Sequence, residues 1–455
     1  VYKRQAQAQE HMRSEASQAF DLEHGPLMRV LLLRIDATRH VLLLTLHHII
    51  TDGWSMGVLL DECLGCYDDL TQGRQPQLAP LPVQYRDYAL WQRAWLEAGE
   101  QTRQLEYWRG HLGAEHPVLD LPTDHPHPVV PGQQGKRLEI ALDRALLKSL
   151  QSVAQGQGVT LFVLLLASFK VLLHRYSGQT DIRVGGLIAN RNRSETEGLI
   201  GFFVNTQVLR SEVRSDMRFA ELLDSVRETA LGAQSHQELP FDVLVDGLQV
   251  VRGQNRNPLF QAMYNHRPQV AETGARQLAS GLQVESLSPE QLGTDDRAQA
   301  IACDLMLETC GEGDQLSASF TYATELFDAA TIERLAGHWR NLLQGICADA
   351  GQRIAALPLL DAAERQQILV DWNQSTAEYP REHCLPALIE AQVRATPQAT
   401  ALVLGGASLS YAQLNSRANQ LAHKLRELGV GADVLVGVAL ERSLEMVVGL
   451  LAILK

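Results

Sequence analysis

His47-His48-Ile49-Ile50-Thr51-Asp52-Gly53-Trp54-Ser55 follows an apolar run, Arg39-His40-Val41-Leu42-Leu43-Leu44-Thr45-Leu46, and leads into an amphipathic one. Two adjacent imidazoles at the end of an apolar strand are costly to bury without partners, and a histidine that must stay neutral needs a fixed tautomer. Upstream, residues 28–35 and 41–46 read as two strands joined by the polar turn Asp36-Ala37-Thr38-Arg39. Both are almost continuously apolar, which predicts cover on both faces. From Ser55 the period changes: Met56, Leu59, Leu60, Cys63 and Tyr67 share one face of a helix that Ser55 is expected to cap. Neighbouring residues on a strand point to opposite faces, so His47 and His48 are not expected to share a metal ion, and one of them faces the substrate side.

Composition sets the frame for that stretch. At 455 residues the chain has room for two or three domains. With 53 acidic against 40 basic side chains and a net charge of -13, it offers no broad basic face for nucleic acid. Six scattered cysteines do not make a disulfide framework, so a reducing, cytoplasmic setting is expected. Cys63-Leu64-Gly65-Cys66 has redox or zinc spacing but falls inside the predicted helix, with no second pair to complete a metal site. The apolar run at 159–173 contains Thr160, Ser168 and Lys170 and is too short to span a membrane. No signal-peptide pattern opens the sequence. Leu444, Val447, Val448 and Leu451 form an apolar helical face at the very end, and the sequence is read as a piece of something larger.

Further along, 85–112 has a long helical pattern, and a proline-rich stretch near 119–135 reads as an extended connector. Helices are expected at 143–155 and 161–175, and strands at 182–189 and 202–209. Residues 351–381 resemble a linker. After it come a strand at 400–404, a Gly405-Gly406 turn, a helix at 411–428, a strand at 434–439 and a helix from 444. The fold class is α/β.

The opening nonapeptide resembles the active-site motif of the condensation domains of nonribosomal peptide synthetases. Four later stretches resemble further motifs of that family, in its order: Tyr85-Arg86-Asp87-Tyr88-Ala89-Leu90-Trp91-Gln92, Ile200-Gly201-Phe202-Phe203-Val204-Asn205-Thr206-Gln207, His236-Gln237-Glu238-Leu239-Pro240-Phe241-Asp242 and Arg256-Asn257-Pro258-Leu259-Phe260-Gln261. Leu409-Ser410-Tyr411-Ala412-Gln413-Leu414-Asn415 resembles the first motif of an adenylation (AMP-binding) domain, and Leu454-Lys455 the start of its second. Leu404-Gly405-Gly406-Ala407-Ser408-Leu409 imitates the phosphopantetheine site of carrier proteins, but a strand precedes it, so Ser408 is read as a decoy.

The resemblance implies a two-lobed, chloramphenicol-acetyltransferase-like fold: amino-terminal lobe 1–118, incomplete; connector 119–135; carboxy-terminal lobe 136–350; linker 351–381; and the truncated start of an adenylation domain, 382–455. It implies an acyltransferase that joins an upstream peptidyl or aminoacyl thioester to a downstream aminoacyl thioester, in the subtype with an L-donor and an L-acceptor. The chain itself is expected to be inactive, given the missing parts. Its partners would be the donor and acceptor carrier domains, whose phosphopantetheine arms hold the substrates, and the rest of the adenylation domain in cis. ATP and Mg would act only in the complete adenylation domain; no metal, nucleic acid or membrane is implied.

In the site, the resemblance makes His48 the base or positioner and His47 its support. Asp52 becomes a structural carboxylate paired with an arginine, either Arg191 or one upstream of this sequence. Gly53 suits a positive-φ turn or close approach by substrate, and its amide is a candidate oxyanion donor. Asn205, Trp54 and Ser55 are placed on the substrate side. Trp91, Phe203, Phe241 and Phe260 are read as core, and His236 as a loop anchor or a substrate contact. A non-catalytic platform that docks carriers and a stand-alone acyltransferase of the same superfold are the alternatives.

Overall fold

The computed structural model describes residues 2–129, 132, 134–250, 256–267, 276–287, 299–301, 303–312 and 315–455; positions 130, 131 and 133 of the expected connector lie outside the described residues. The chain divides into two compact units, Val1–Arg365 and Gln366–Lys455.

The first unit begins with helix α1 (Tyr2–Ser17), which the sequence reading did not anticipate, then the hairpin β1 (Met28–Arg34) and β2 (His40–Leu46), then α2 (Gly53–Thr71). Helices α3 (Tyr85–Trp95) and α4 (Gln101–Leu112) follow one another through a wide turn where Gly99 takes φ 113°. Next come β3 (Gln134–Ala141), α5 (Arg144–Gly156), α6 (Leu161–Ser177), β4 (Asp181–Ile188), the short α7 (Ser194–Glu197), β5 (Asn205–Glu212), α8 (Phe219–Ser235) and α9 (Phe241–Gly247). Strands β6 (Ala262–Arg267), β7 (Arg276–Gln277), β8 (Gln283–Val284), β9 (Gln299–Ala300), β10 (Leu305–Glu312) and β11 (Gln315–Ala323), with helix α10 (Ala329–Ala348), complete the main elements.

A seven-stranded mixed sheet in the order β5-β4-β6-β10-β11-β3-β9 carries the core. Helix α6 is capped by Thr160, ends at Gly178 in the left-handed region, and is buried from Val163 to His174, as an apolar helix laid against a sheet should be. Gly185 on β4 is needed for packing: a Cβ there would stand 2.6 Å from the ring of Phe260.

Besides α1, the elements and their burial depart from the sequence reading in five places. β1 and β2 pair with each other alone among the described strands, and their apolar outer face is open, with Val30 56%, Leu32 64% and Leu42 51% exposed; cover on both faces is not found. Ser55 does not cap α2; the Asp52 carboxylate does, accepting the Ser55 amide at 2.8 Å. The strand expected from 202 starts at Asn205, because the backbone of 201–203 is bonded to side chains instead of a neighbouring strand. The segment expected to be linker from 351 begins inside the core: Ile354 and Leu357 are buried, and Arg175 donates to the carbonyls of Ile354, Ala355 and Leu357. Residues 434–439 form no strand, and Leu435 is 99% exposed.

The second unit holds helix α11 (Ala362–Leu369) in part, α12 (Leu385–Ala395), the hairpin β12 (Thr400–Leu404) and β13 (Ala407–Ser410), α13 (Tyr411–Glu427) and α14 (Leu444–Leu454). Ser410 and Gln413 form a reciprocal capping box at the start of α13. Leu409, Leu414, Ala418, Val448 and Leu451 make its core. Ser408 lies on β13 rather than at a helix start. Among the described residues no single helix is long and apolar enough to cross a membrane.

Candidate active site

After β2 the chain makes one short 3-10 turn, His48–Ile50, before Thr51 and Asp52 extend into the cap of α2. The two histidines take opposite roles in that turn. His47 Nδ1 accepts the Ile49 amide at 3.1 Å, so its neutral ring carries the proton on Nε2. His48 Nδ1 lies 2.7 Å from the Thr51 carbonyl oxygen, which can only accept, so here the proton sits on Nδ1 and Nε2 keeps its lone pair. The His48 side chain is exposed, and its ring meets Phe202 edge-on with centroids 5.2 Å apart.

Asp52 is buried beneath this turn. One oxygen accepts the Ser55 amide and, at 3.3 Å, Arg191 Nη2; the other accepts the Phe203 amide at 2.9 Å. Burial pushes its pKa up, but the hydrogen bonds from Ser55 and Phe203 and the Arg191 charge outweigh it and hold the carboxyl below its ordinary range. Arg191 is the arginine partner that the sequence left undecided. It also donates to the carbonyls of Thr196 and Leu199 and to Ser55 Oγ at 2.7 Å, and its guanidinium lies 4.0 Å from the Phe203 ring centroid. Its Nε has no partner among the described residues.

Ser55 ties α2 to the 201–203 strand approach. Its hydroxyl donates to the Gly201 carbonyl at 2.9 Å and accepts the Gly201 amide at 3.1 Å. From the other side, the Tyr85 hydroxyl donates to the Phe202 carbonyl at 2.8 Å, and its ring lies against Gly201 so closely that a Cβ there would be 2.1 Å from Cδ2. Three of the sequence motifs thus meet in one place: the histidine loop, the start of α3 and the 200–207 stretch. Tyr85 and Gly201 were visible only as members of motifs, because nothing local in the sequence says that a tyrosine must lie on a glycine 116 positions away.

The remaining expected site residues are placed as follows. Gly53 is the first residue of α2; it does not have a positive φ, and a Cβ there would meet no atom within 4 Å. Its amide and that of Trp54 precede the amides of Ser55 and Met56, which are already bonded to Asp52. Trp54 is half exposed and donates Nε1–H to the Glu197 carbonyl at 2.9 Å. The Ser55 side chain is fully buried. Asn205 donates to the carbonyls of Gln237 (2.9 Å) and Leu239 (2.7 Å) and accepts the amides of Thr206 and Phe241 (3.1 Å), clamping the loop after α8. His236 anchors that loop, with Nδ1 at 2.9 Å from the Gly232 carbonyl and its ring stacked 3.8 Å from Tyr107. Phe203 and Phe260 are buried, as expected of core residues. Among the described residues no group of three or more His, Cys, Asp or Glu could hold a metal ion.

A family model described as Condensation domain matches residues 2–369, and one described as AMP-binding enzyme matches residues 389–455. A linear gramicidin synthase from Brevibacillus parabrevis is 43% identical over 443 residues, 97% of this chain and 9% of that synthase. Tyrocidine synthase 2 of the same organism is 39% identical over 438 residues, 96% of this chain and 12% of that protein. The chain therefore spans about a tenth of the length of these relatives. Among solved structures, the X-domain from teicoplanin biosynthesis superposes with a TM-score of 0.68 at 26% identity, over 76% of this chain and 78% of that one. The four-domain nonribosomal peptide synthetase AB3403 gives a TM-score of 0.71 at 22% identity over 94% of this chain and 32% of that one, a likeness of fold.

Proposed function

Because the chain belongs to the condensation-domain family, we propose that residues 2–369 catalyse amide formation between two thioesters, each tethered to a carrier domain by a phosphopantetheine arm. The amine nitrogen of the downstream aminoacyl thioester attacks the carbonyl carbon of the upstream acyl group. The C–S bond breaks, the upstream thiolate leaves, and the proton lost by the amine ends on that sulfur or in solvent. A thioester is already activated, so the protein has to align the pair, hold one proton and stabilise an oxyanion.

The observation that carries this reading is the His48–Thr51 hydrogen bond. It leaves an exposed Nε2 lone pair that can accept the amine proton or hold the amine in line. An α-amino group with an ordinary pKa of about 8 is already partly neutral, so holding it in line is sufficient for attack. Asp52, Arg191 and Ser55 act as positioning residues for the loop, with His47 supporting the turn. The free amides at the start of α2, Gly53 first, are the oxyanion donors, and the bare Cα of Gly53 leaves substrate room to approach. On this reading Trp54 is the neighbour that meets substrate, while Asn205 and Ser55 act through the backbone they bind. The carrier domains are the partners, in a cytoplasmic setting.

The test is amide product from two loaded carrier domains, followed by mass spectrometry with the full-length protein and its His48→Ala form. Loss of two or more orders of magnitude is expected. Undiminished product with alanine overturns the role given to His48, and absence of product with both forms favours the non-catalytic platform.

A further inference from the structure

The helix-covered side of the sheet holds a cavity of about 570 Å³ that no step above uses. Its floor is the β4–β5 pair, where Gly186 faces Gln207 across the ladder and Leu209 follows on the same side. Its walls are the start of α6, with Phe162, and the second half of α8, with Leu231. The cavity opens to solvent where Leu231 is 57% exposed, and its volume lies within the range of small-molecule sites, about 300 to 1,000 Å³. Two choices of residue keep this space open. Gly186 places no side chain on the floor, and a Cβ there would already press on Leu209 at 3.1 Å. Phe162 leans on Tyr264, with ring centroids 5.4 Å apart, rather than across the gap.

The chemistry of the walls restricts the occupant. Among the described residues no carboxylate or lysine lines the cavity, and its one arginine, Arg227, is paired with Asp224 at 3.0 Å. A charged side chain entering between Phe162 and Leu231 would lose hydration against apolar walls, since Arg227 lies at the solvent-exposed rim and is already paired there. Amides gather at one end: Gln207, which donates Nε2–H to the Ala233 carbonyl at 2.6 Å, with Gln234 and Gln237. Glutamine amides match the donors and acceptors of peptide groups. That end is also joined to the histidine loop. Gln237 is held through its carbonyl by Asn205, and Asn205 lies two residues from Phe203, whose amide binds Asp52. Residues 203–207 therefore connect the Asp52 carboxylate to the cavity floor in a single stretch of backbone.

We propose that this cavity receives the apolar side chain of one of the two thioester substrates, with the glutamine amides bonding its peptide groups. The proposal rests on the condensation reading and adds its specificity: Leu231 and Phe162 select for aliphatic or aromatic substituents and against charged ones.

The full 455-residue chain is titrated with two probes, the N-acetylcysteamine thioesters of N-acetyl-leucine and N-acetyl-aspartate, with binding followed by NMR. The leucyl probe is expected to bind at least tenfold more tightly. Leu231→Glu, at a position 57% exposed and so harmless to folding, is expected to cut leucyl binding about tenfold and leave aspartyl binding unchanged. Equal affinity for the two probes, or leucyl binding untouched by Leu231→Glu, overturns the proposal. The condensation reading fails separately: His48→Ala keeps probe discrimination and loses amide formation if both hold. Retained amide formation in His48→Ala overturns the catalytic reading whatever the probes do.

Discussion

The Nδ1 atom of His48 lies 2.7 Å from the carbonyl oxygen of Thr51, three residues further along the same turn. A carbonyl cannot donate, so this contact decides where the neutral ring keeps its proton. His47, one residue earlier, has the reverse arrangement, because its Nδ1 accepts an amide.

The first prediction concerns those two rings alone. In a sample with 15N-labelled histidine, above the imidazole titration range, His48 should show the Nδ1–H tautomer and His47 the Nε2–H tautomer. Replacing Asp52 frees the loop, and the His48 preference should then relax toward the mixture of an unconstrained ring. Finding both rings in the same tautomer in the native protein would contradict the geometry of the turn.

Asp52→Ala removes a helix cap, an amide bond to Phe203 and the counter-charge of a buried arginine at once. Breaking a buried pair from one side costs about 3–5 kcal/mol, because the remaining charge is left uncompensated. Asp52→Asn keeps a cap oxygen and should cost less. The pH dependence has a definite sign. The folded-state pKa of Asp52 is shifted below its ordinary value of 3.8, so its contribution is complete above that value and is lost as pH falls through the lower, folded one. Denaturant midpoints for wild type and Asp52→Asn should therefore converge in acid and separate toward neutrality.

Gly201→Ala tests the Tyr85 contact. The added methyl would overlap the tyrosine ring, and small-to-large changes in packed sites cost about 1–3 kcal/mol. Tyr85→Ala alone loses the ring and the bond to the Phe202 carbonyl. The double variant should be less destabilised than the sum of the two single changes, since the clash no longer exists. Strict additivity in a double-mutant cycle would show that the two residues do not touch.

These residues also mark how far the sequence could be read. The period change at Ser55 gave the helix, but the cap was placed on the wrong side chain, because Ser55 and Asp52 are both good caps and only tertiary contacts separate them. Ser55 is drawn inward by Gly201 and Arg191, leaving the carboxylate to hold the helix start. The near-continuous apolar runs of β1 and β2 mark strands, yet burial depends on what lies across a face, and hydropathy does not carry that information. Residues 434–439 are as apolar as a strand and remain unpaired, since a strand also needs a neighbour to bond. Arg191 was one of two candidates for Asp52; it lies 139 positions away in sequence, and no local pattern links the two.

The last prediction lies outside the site. Lys170 is fully buried in the middle of α6, and its ammonium has one hydrogen-bond partner given by the structure, Ser211 Oγ at 2.7 Å. Burial pulls its pKa down from 10.5 to about 7, with the more distant Asp181 charge opposing only weakly. Between those two values the unfolded chain holds a proton that the folded chain has released, so stability rises with pH across that interval. Below about 7 the folded state must accept the buried charge, and the penalty is complete. Lys170→Met keeps a long, flexible side chain and removes the charge, leaving the Ser211 hydroxyl short of one bond at a cost of about 1 kcal/mol. The variant should therefore be more stable than wild type at pH 7, with an advantage that shrinks steadily toward pH 10. Urea midpoints at matched pH measure this difference; the other titrating groups are common to both proteins and cancel above neutrality, His111, whose ring the Lys170 charge helps hold neutral, entering only in acid. Parallel curves for the two proteins would mean that the lysine keeps its charge on folding and that its burial has been compensated by a partner other than Ser211.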